Sequence, residues 1–322
     1  MLCLGVEMKK RLPQCTLILI LALSLVSGIT AGCQTERTAD DSGELRVVTS
    51  FLPIYIFTLN LVEGIDGIRV VNMAAPDIGC LHEYQLLPGD MVELEAADIF
   101  IFNGAGMESF LEVLADRRDL VKIEASSGIQ LLPLDENHGH IDADGETLNH
   151  DHEVNAHVWL SVRLAIQQVK NISLGLQHAD PKHAEMYQRN EAAYIDRLAD
   201  LDRLYRETLD KVAIRKIITF HDAFPYLAKE YGLTVVAVIQ REPGREPSTA
   251  ELAETIDIIR SEDVQVLFVE PQYSGRAADT LAAETGASVY TLNPVVTGDA
   301  GALTYEQVMM DNLDVLKLAL NP

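Results

Sequence analysis

Three histidines, His82, His157 and His221, each stand beside the end of an apolar segment, in three widely separated parts of the chain. Neutral imidazole suits zinc, which accepts nitrogen donors in a tetrahedral shell at about 2.0–2.1 Å. Taken singly, a histidine is more often a hydrogen-bonded structural residue than a ligand. The three share no tight local pattern such as two histidines one turn apart on a helix. Their chemistry therefore depends on whether the fold brings them together, and on whether a metal held there is cargo or catalyst.

A second group lies between the first two. Residues 135–153 carry His138, His140, His150 and His152 among seven acidic side chains. Such tracts bind metals loosely; the plain alternative is a solvated acidic loop whose histidines do nothing. His178 and His183, further along, read as ordinary surface residues.

The elements that must position these side chains begin after a leader. Met8-Lys9-Lys10-Arg11 forms a basic start, so Met8 reads as the true initiator, and Leu17–Leu23 opens an apolar run too short to span a bilayer. The run ends at Thr30-Ala31-Gly32-Cys33, which resembles the lipobox of bacterial lipoproteins with Thr30 where Leu is usual. This predicts a signal peptide over 1–32, lipidation of Cys33 and a polar tether over 33–43. A soluble exported protein is the alternative. Three basic and one acidic side chains leave with the leader, so the formal charge of −24 becomes −26. That charge argues against nucleic acid as a partner and suits an exported protein that handles cations. Beyond residue 33 only Cys80 remains, so no internal disulfide forms and the core alone must hold the fold.

Strands rich in β-branched and aromatic residues are expected at 45–50, 68–73, 98–102 and 121–124, with helices near 53–63, 88–97 and 107–117 between them. The plan repeats with strands at 216–220, 234–239, 264–269 and 288–292, a helix opened by the capping box Ser248–Glu251, and a final helix over about 304–320. Alternating strands and helices predict parallel sheets, here in two α/β lobes, 44–179 and 214–322. Between them, residues 180–213 hold no Gly or Pro after Pro181 and carry apolar residues at three- and four-residue steps. This predicts a long rigid linker helix of about 30 residues, roughly 45 Å at 1.5 Å per residue. Ligands in open α/β sheets bind beyond the carboxyl ends of strands, and pockets favour domain interfaces, so a cleft between the lobes would receive all three histidines.

The motifs also carry a resemblance. His82-Glu-Tyr-Gln with Pro88-Gly-Asp, Asn103-Gly-Ala-Gly-Met-Glu108, Ala156-His-Val-Trp-Leu160, Thr219-Phe-His-Asp-Ala-Phe-Pro-Tyr226, Glu246-Pro-Ser248 and Phe268-Val-Glu-Pro-Gln-Tyr273 occur in order from about Leu45 to the C-terminus. In these the chain resembles the zinc- or manganese-binding solute receptors of ABC importers. The resemblance implies a metal held in the cleft between two lobes joined by a long helix, with His82, His157 and His221 as ligands. It also implies a His- and acid-rich loop typical of the zinc-handling members, here 135–153, collecting zinc at the cleft entrance. Relatives usually carry Pro where Leu81 stands. Manganese members resemble this chain but place carboxylates at the third and fourth ligand positions, because harder oxygen donors suit Mn²⁺. Here the third is His221, and the fourth is expected at Ser274 or Gly275, which offer no carboxylate. Water, Glu83 or Cys80 would complete the shell, although a cysteine is as readily a small buried apolar residue.

The expectation is an extracytoplasmic, lipid-anchored, monomeric receptor that captures Zn²⁺ as transported ligand and delivers it to an ABC permease. A manganese receptor of the same fold is the first alternative. A zinc hydrolase is the second, since three histidines with an open position also describe a catalytic site. An enzyme needs a placed general base, and Glu83 and Asp222, beside ligand histidines, belong to no pattern that assigns one. A surface adhesin has no sequence feature of its own here.

Overall fold

The central strands are short and apolar where helices cover both faces of a sheet. Val266-Leu-Phe-Val269, for example, is buried along its whole length. The computed structural model describes residues 43–75, 78–79, 81, 84–110, 117–134, 154–239, 247–272 and 275–321. Two four-stranded sheets result. In the first, β1 (Leu45–Thr49), β2 (Ile68–Asn72), β3 (Ile99–Phe102) and β4 (Val121–Glu124) lie in the order β2-β1-β3-β4. In the second, β5 (Lys216–Thr219), β6 (Thr234–Val238), β7 (Val266–Val269) and β8 (Ser288–Thr291) lie in the order β6-β5-β7-β8. Every pairing is parallel. Each order reverses once, between β1 and β3 and between β5 and β7, and at such switch points the loops leaving the strand ends diverge and open a crevice.

The helices follow their sequence signals. Pro sits in the first turn of α1 (Leu52–Val62), α2 (Pro88–Ala96) and α5 (Pro225–Glu230), where its missing N–H costs nothing. Ser161 caps α3 (Val162–Ala179) by accepting from Leu164 N at 3.3 Å. Ser248 and Glu251 form the expected reciprocal box at α6 (Thr249–Glu262). Helices α7 (Arg276–Thr285) and α8 (Thr304–Ala319) complete the second half. The helix expected near 107–117 falls largely on residues outside those described.

The linker differs in one respect from the uninterrupted helix expected from Asp180. Pro181–His183 form a 3₁₀ turn, and α4 runs from Ala184 to Leu209, about 39 Å at 1.5 Å per residue. The turn joins α3 to α4, which pack on each other as a helical hairpin. His183 is accordingly no ordinary surface residue. Its Nδ1 lies 2.6 Å from Asp180 Oδ2, which also accepts from Tyr187 Oη at 3.0 Å.

Helix α4 is fastened to both sheets' helices. Arg197 reaches Asn60 of α1 and Glu306 of α8, Tyr205 Oη donates to Met309 O at 2.6 Å, and Asn190 Nδ2 donates to Leu61 O and Glu63 O at 2.9 Å. Direct bonds between the halves add to these: Asn60 Nδ2 to Ala302 O at 2.7 Å, Trp159 Nε1 to Pro294 O at 2.7 Å and Tyr305 Oη to Trp159 O at 2.7 Å. Glu230 on α5 binds Arg206 of α4 and Arg163 of α3. Burial opposes its ionisation, but the two guanidinium groups outweigh burial and hold its carboxyl below the ordinary range. Residues from Glu44 onward cluster as one compact unit. Among the described residues no helix is long and apolar enough to cross a membrane.

Candidate metal centre

His221 stands two residues beyond the end of β5, and Glu270 directly follows β7. These strands flank the switch point of the second sheet, so the two side chains meet there. Ring Nδ1 of His221 is 3.1 Å from Glu270 Oε1 and 3.4 Å from Oε2, and Gln272 Nε2 donates to the same carboxylate. Glu270 and His221 are 1% and 4% exposed, so the carboxylate acts on the ring out of water. A carboxylate accepts only; Nδ1 is therefore the protonated nitrogen, and the lone pair of the neutral ring lies on Nε2.

His157 comes from the other half, just before the 3₁₀ turn Val158–Leu160. Its ring Nδ1 lies 3.1 Å from Asn155 Oδ1, which also accepts from His157 N at 3.0 Å. Asn155 Nδ2 donates to Asp222 O at 2.7 Å and to Asp222 Oδ2 at 3.0 Å. The rings of His157 and His221 meet edge to face, with centroids 4.8 Å apart at 84°, and Trp159 packs on His157 at 5.2 Å. Two imidazoles at this separation and angle can turn both Nε2 atoms on one ion.

The first sheet supplies a support. After β3 the chain turns through Asn103-Gly-Ala-Gly-Met-Glu108, with Gly104, Ala105 and Gly106 all at positive φ. At φ 78° Gly104 holds a conformation that L side chains rarely adopt, and a Cβ there would also displace the Glu124 side chain. Glu108 folds back into this loop and accepts from Asn103 N at 2.8 Å and Gly104 N at 3.0 Å. Burial pushes its pKa up to about 7, against the opposing pull of those hydrogen bonds. Asn103 Nδ2 in turn donates to Ala156 O at 3.0 Å, the carbonyl preceding His157. On the far side, Val295 takes a left-handed φ of 64°, costly for a β-branched residue by about 1–3 kcal/mol. Asn293 Oδ1, which accepts from Val295 N at 2.8 Å, and Trp159, bound to Pro294 O, hold it there.

Of the residues singled out in the sequence, the structure brings together His157 and His221. His82, Glu83 and Cys80 lie outside the described residues, but their flanks do not: Leu81 is fully buried, and Tyr84 donates from Oη to Asp90 Oδ2 at 2.6 Å at the start of α2. Ser274 and the loop histidines His138, His140, His150 and His152 also lie outside, as does Cys33; Gly275 opens α7. The base of the loop is described. Pro133 and Val154 form a bridge, and Asn155 N donates to Leu132 O at 2.8 Å, so the base of the loop closes three residues before His157. Among the described residues, no group of three or more His, Cys, Asp or Glu side chains is placed to hold a metal. The described histidine pair therefore needs a further donor. Asn155 and Glu270 were missed as orienting groups, although Glu270 sits inside a motif quoted above and Asn155 directly precedes one. A carboxylate orients the ring at His221 and an amide the ring at His157.

Two parallel-sheet α/β lobes joined through a long helix, with paired imidazoles at a sheet's switch point, define a metal-binding receptor of the substrate-binding class. The chain belongs to the family described as zinc-uptake complex component A, periplasmic (ZnuA), which it matches over residues 47–319. It is 36% identical over 313 residues to the high-affinity zinc uptake system protein ZnuA of Bacillus subtilis (strain 168), covering 94% of this chain and 97% of that protein. It is 33% identical to the zinc-binding lipoprotein AdcA of Streptococcus pneumoniae (strain R6), over 93% of this chain but 60% of that longer protein. Among solved structures it is similar to Zn(II)-bound AdcA from Streptococcus pneumoniae, with a TM-score of 0.72 and 31% identity over 87% of this chain and 58% of that one. It is also similar to the Pseudomonas aeruginosa receptor FpvC in complex with Mn²⁺, with a TM-score of 0.75 and 31% identity over 86% and 98%.

Proposed function

We propose that this chain is an extracytoplasmic receptor that binds Zn²⁺ as its transported ligand through His82, His157 and His221 and delivers it to the permease of an ABC importer. The observation that carries this reading is the His157–His221 pair, with Nδ1 of each ring held by an acceptor and both lone pairs on Nε2. Imidazole donors favour zinc over manganese. Glu270, the carboxylate beside the pair, is engaged by His221 and Gln272 and serves the ring. His82 supplies the third nitrogen, and water, Glu83 or Cys80 the fourth donor. The names of the ZnuA and AdcA relatives support zinc. The Mn²⁺ complex of FpvC is the observation that favours the manganese reading.

Asp222 binds Asn155 and so belongs to the scaffold, which supports a binder over a hydrolase, and we assign no enzymatic activity. The lobes span 44–179 and 214–322, with 180–213 linking them, and the chain acts as a monomer. The leader 1–32 is removed and lipid on Cys33 anchors the chain to the membrane, with 33–43 as tether. His138, His140, His150 and His152 collect zinc at the cleft entrance. The test is metal analysis with zinc–manganese competition on the protein lacking 135–153. One zinc retained against excess Mn²⁺ is expected; preferred retention of manganese would overturn the metal assignment, and no bound metal would make the histidines structural.

A further inference from the structure

The Asn155 amide is oriented by two neighbours whose chemistry allows one answer. Asp222 O is a carbonyl and can only accept, so the NH₂ group faces it at 2.7 Å. His157 N is a backbone N–H and can only donate, so Oδ1 faces it at 3.0 Å. That same Oδ1 is 3.1 Å from the His157 ring, which must answer an acceptor with a protonated Nδ1. We infer that Asn155 is a positioning residue for metal capture: it holds the Nδ1 proton of His157, leaves the lone pair on Nε2, and fastens that arrangement to the segment carrying His221.

The backbone of Asn155 is itself immobilised. Its N donates to Leu132 O at 2.8 Å, and its carbonyl accepts from Tyr226 Oη at 2.8 Å, while the same hydroxyl accepts from Leu132 N at 2.9 Å. The residue is 1% exposed, and its side chain bridges 67 residues of sequence in one step. A neutral amide also suits this position. Glu270 already places a buried carboxylate at the pair and half-buried Asp222 another beside it, and a further anion at the buried Asn155 position would carry a desolvation cost with no cation in the unloaded site. His221 thus takes its orientation from a charge and His157 from a dipole.

This inference rests on reading His157 and His221 as ligands, and its test separates the two claims. The His157 tautomer would be read by long-range ¹H–¹⁵N correlation in the metal-free protein, and zinc affinity by chelator competition. Asn155→Ala should replace the single Nδ1–H tautomer by a mixture and weaken zinc binding by about 10- to 100-fold. Asn155→Asp, which keeps an acceptor for Nδ1 but loses the NH₂ that binds Asp222, should restore the tautomer without restoring the affinity in full. A His157 tautomer and zinc affinity unchanged in Asn155→Ala would overturn the inference. If that variant does not fold, a mixed tautomer in Asn155→Asp would overturn it. Unchanged affinity in His157→Ala would instead remove the ligand assignment, whatever the tautomer does.

Discussion

The rings of His157 and His221, 64 positions apart in the chain, meet edge to face with centroids 4.8 Å apart, each with Nδ1 turned to a buried acceptor. Each ring comes from a different half of the molecule, so the pair exists only while the halves are docked.

Replacing a ligand should cost more than replacing its outer partner, which is worth about 10- to 100-fold in metal affinity. His157→Ala and His221→Ala should each exceed 100-fold. Trp159, the single tryptophan, packs on His157, so zinc titration followed by its fluorescence reads the loss directly. Affinity within a few-fold of the parent in either variant would remove that histidine from the ligand set.

Glu270→Gln keeps the shape of the side chain and removes its charge. Zinc affinity should fall by about 10- to 100-fold while the unloaded protein keeps its circular dichroism spectrum. Unchanged affinity would mean that His221 needs no anion behind it.

Glu108 makes stability depend on pH. Its folded pKa of about 7 stands above the ordinary 4.5, so its contribution is complete below pH 4.5 and is lost as pH rises through 7. At about 1.36 kcal/mol per unit this amounts to about 3 kcal/mol between the two limits. Urea unfolding of metal-free parent and Glu108→Gln at pH 5 and pH 8 should show the variant gaining relative to the parent at the higher pH. A difference that does not vary with pH would show that Glu108 stays ionised throughout.

The bonds from Trp159 to Pro294, Asn60 to Ala302 and Asn155 to Asp222, with α4 fastened to both halves, oppose a wide hinge motion. Small-angle scattering of zinc-free and zinc-loaded protein should give the same radius of gyration. A marked contraction on loading would mean that these bonds form only around the metal.

Much of the fold was legible because its signals are local. β4 was expected at 121–124 and lies there, and the Ser248–Glu251 box starts α6 as read, since a cap depends on residues three apart. Periodicity also located the long helix but not its start, because Pro181 and the His183–Asp180–Tyr187 contact make a turn that apolar spacing does not register. His157 and His221 were legible as candidates from their motifs.

Residue type and short spacing thus determined the strands, the helices, their caps and which side chains could bind metal. Only the tertiary structure decided which nitrogen of each ring carries the lone pair. That depends on Asn155 meeting Asp222 across 67 residues, where the two halves dock, and on His221 meeting Glu270 across 49, where β5 and β7 lie side by side in one sheet. A hydrogen bond acts over about 3 Å in space, and no pattern along the chain records that distance.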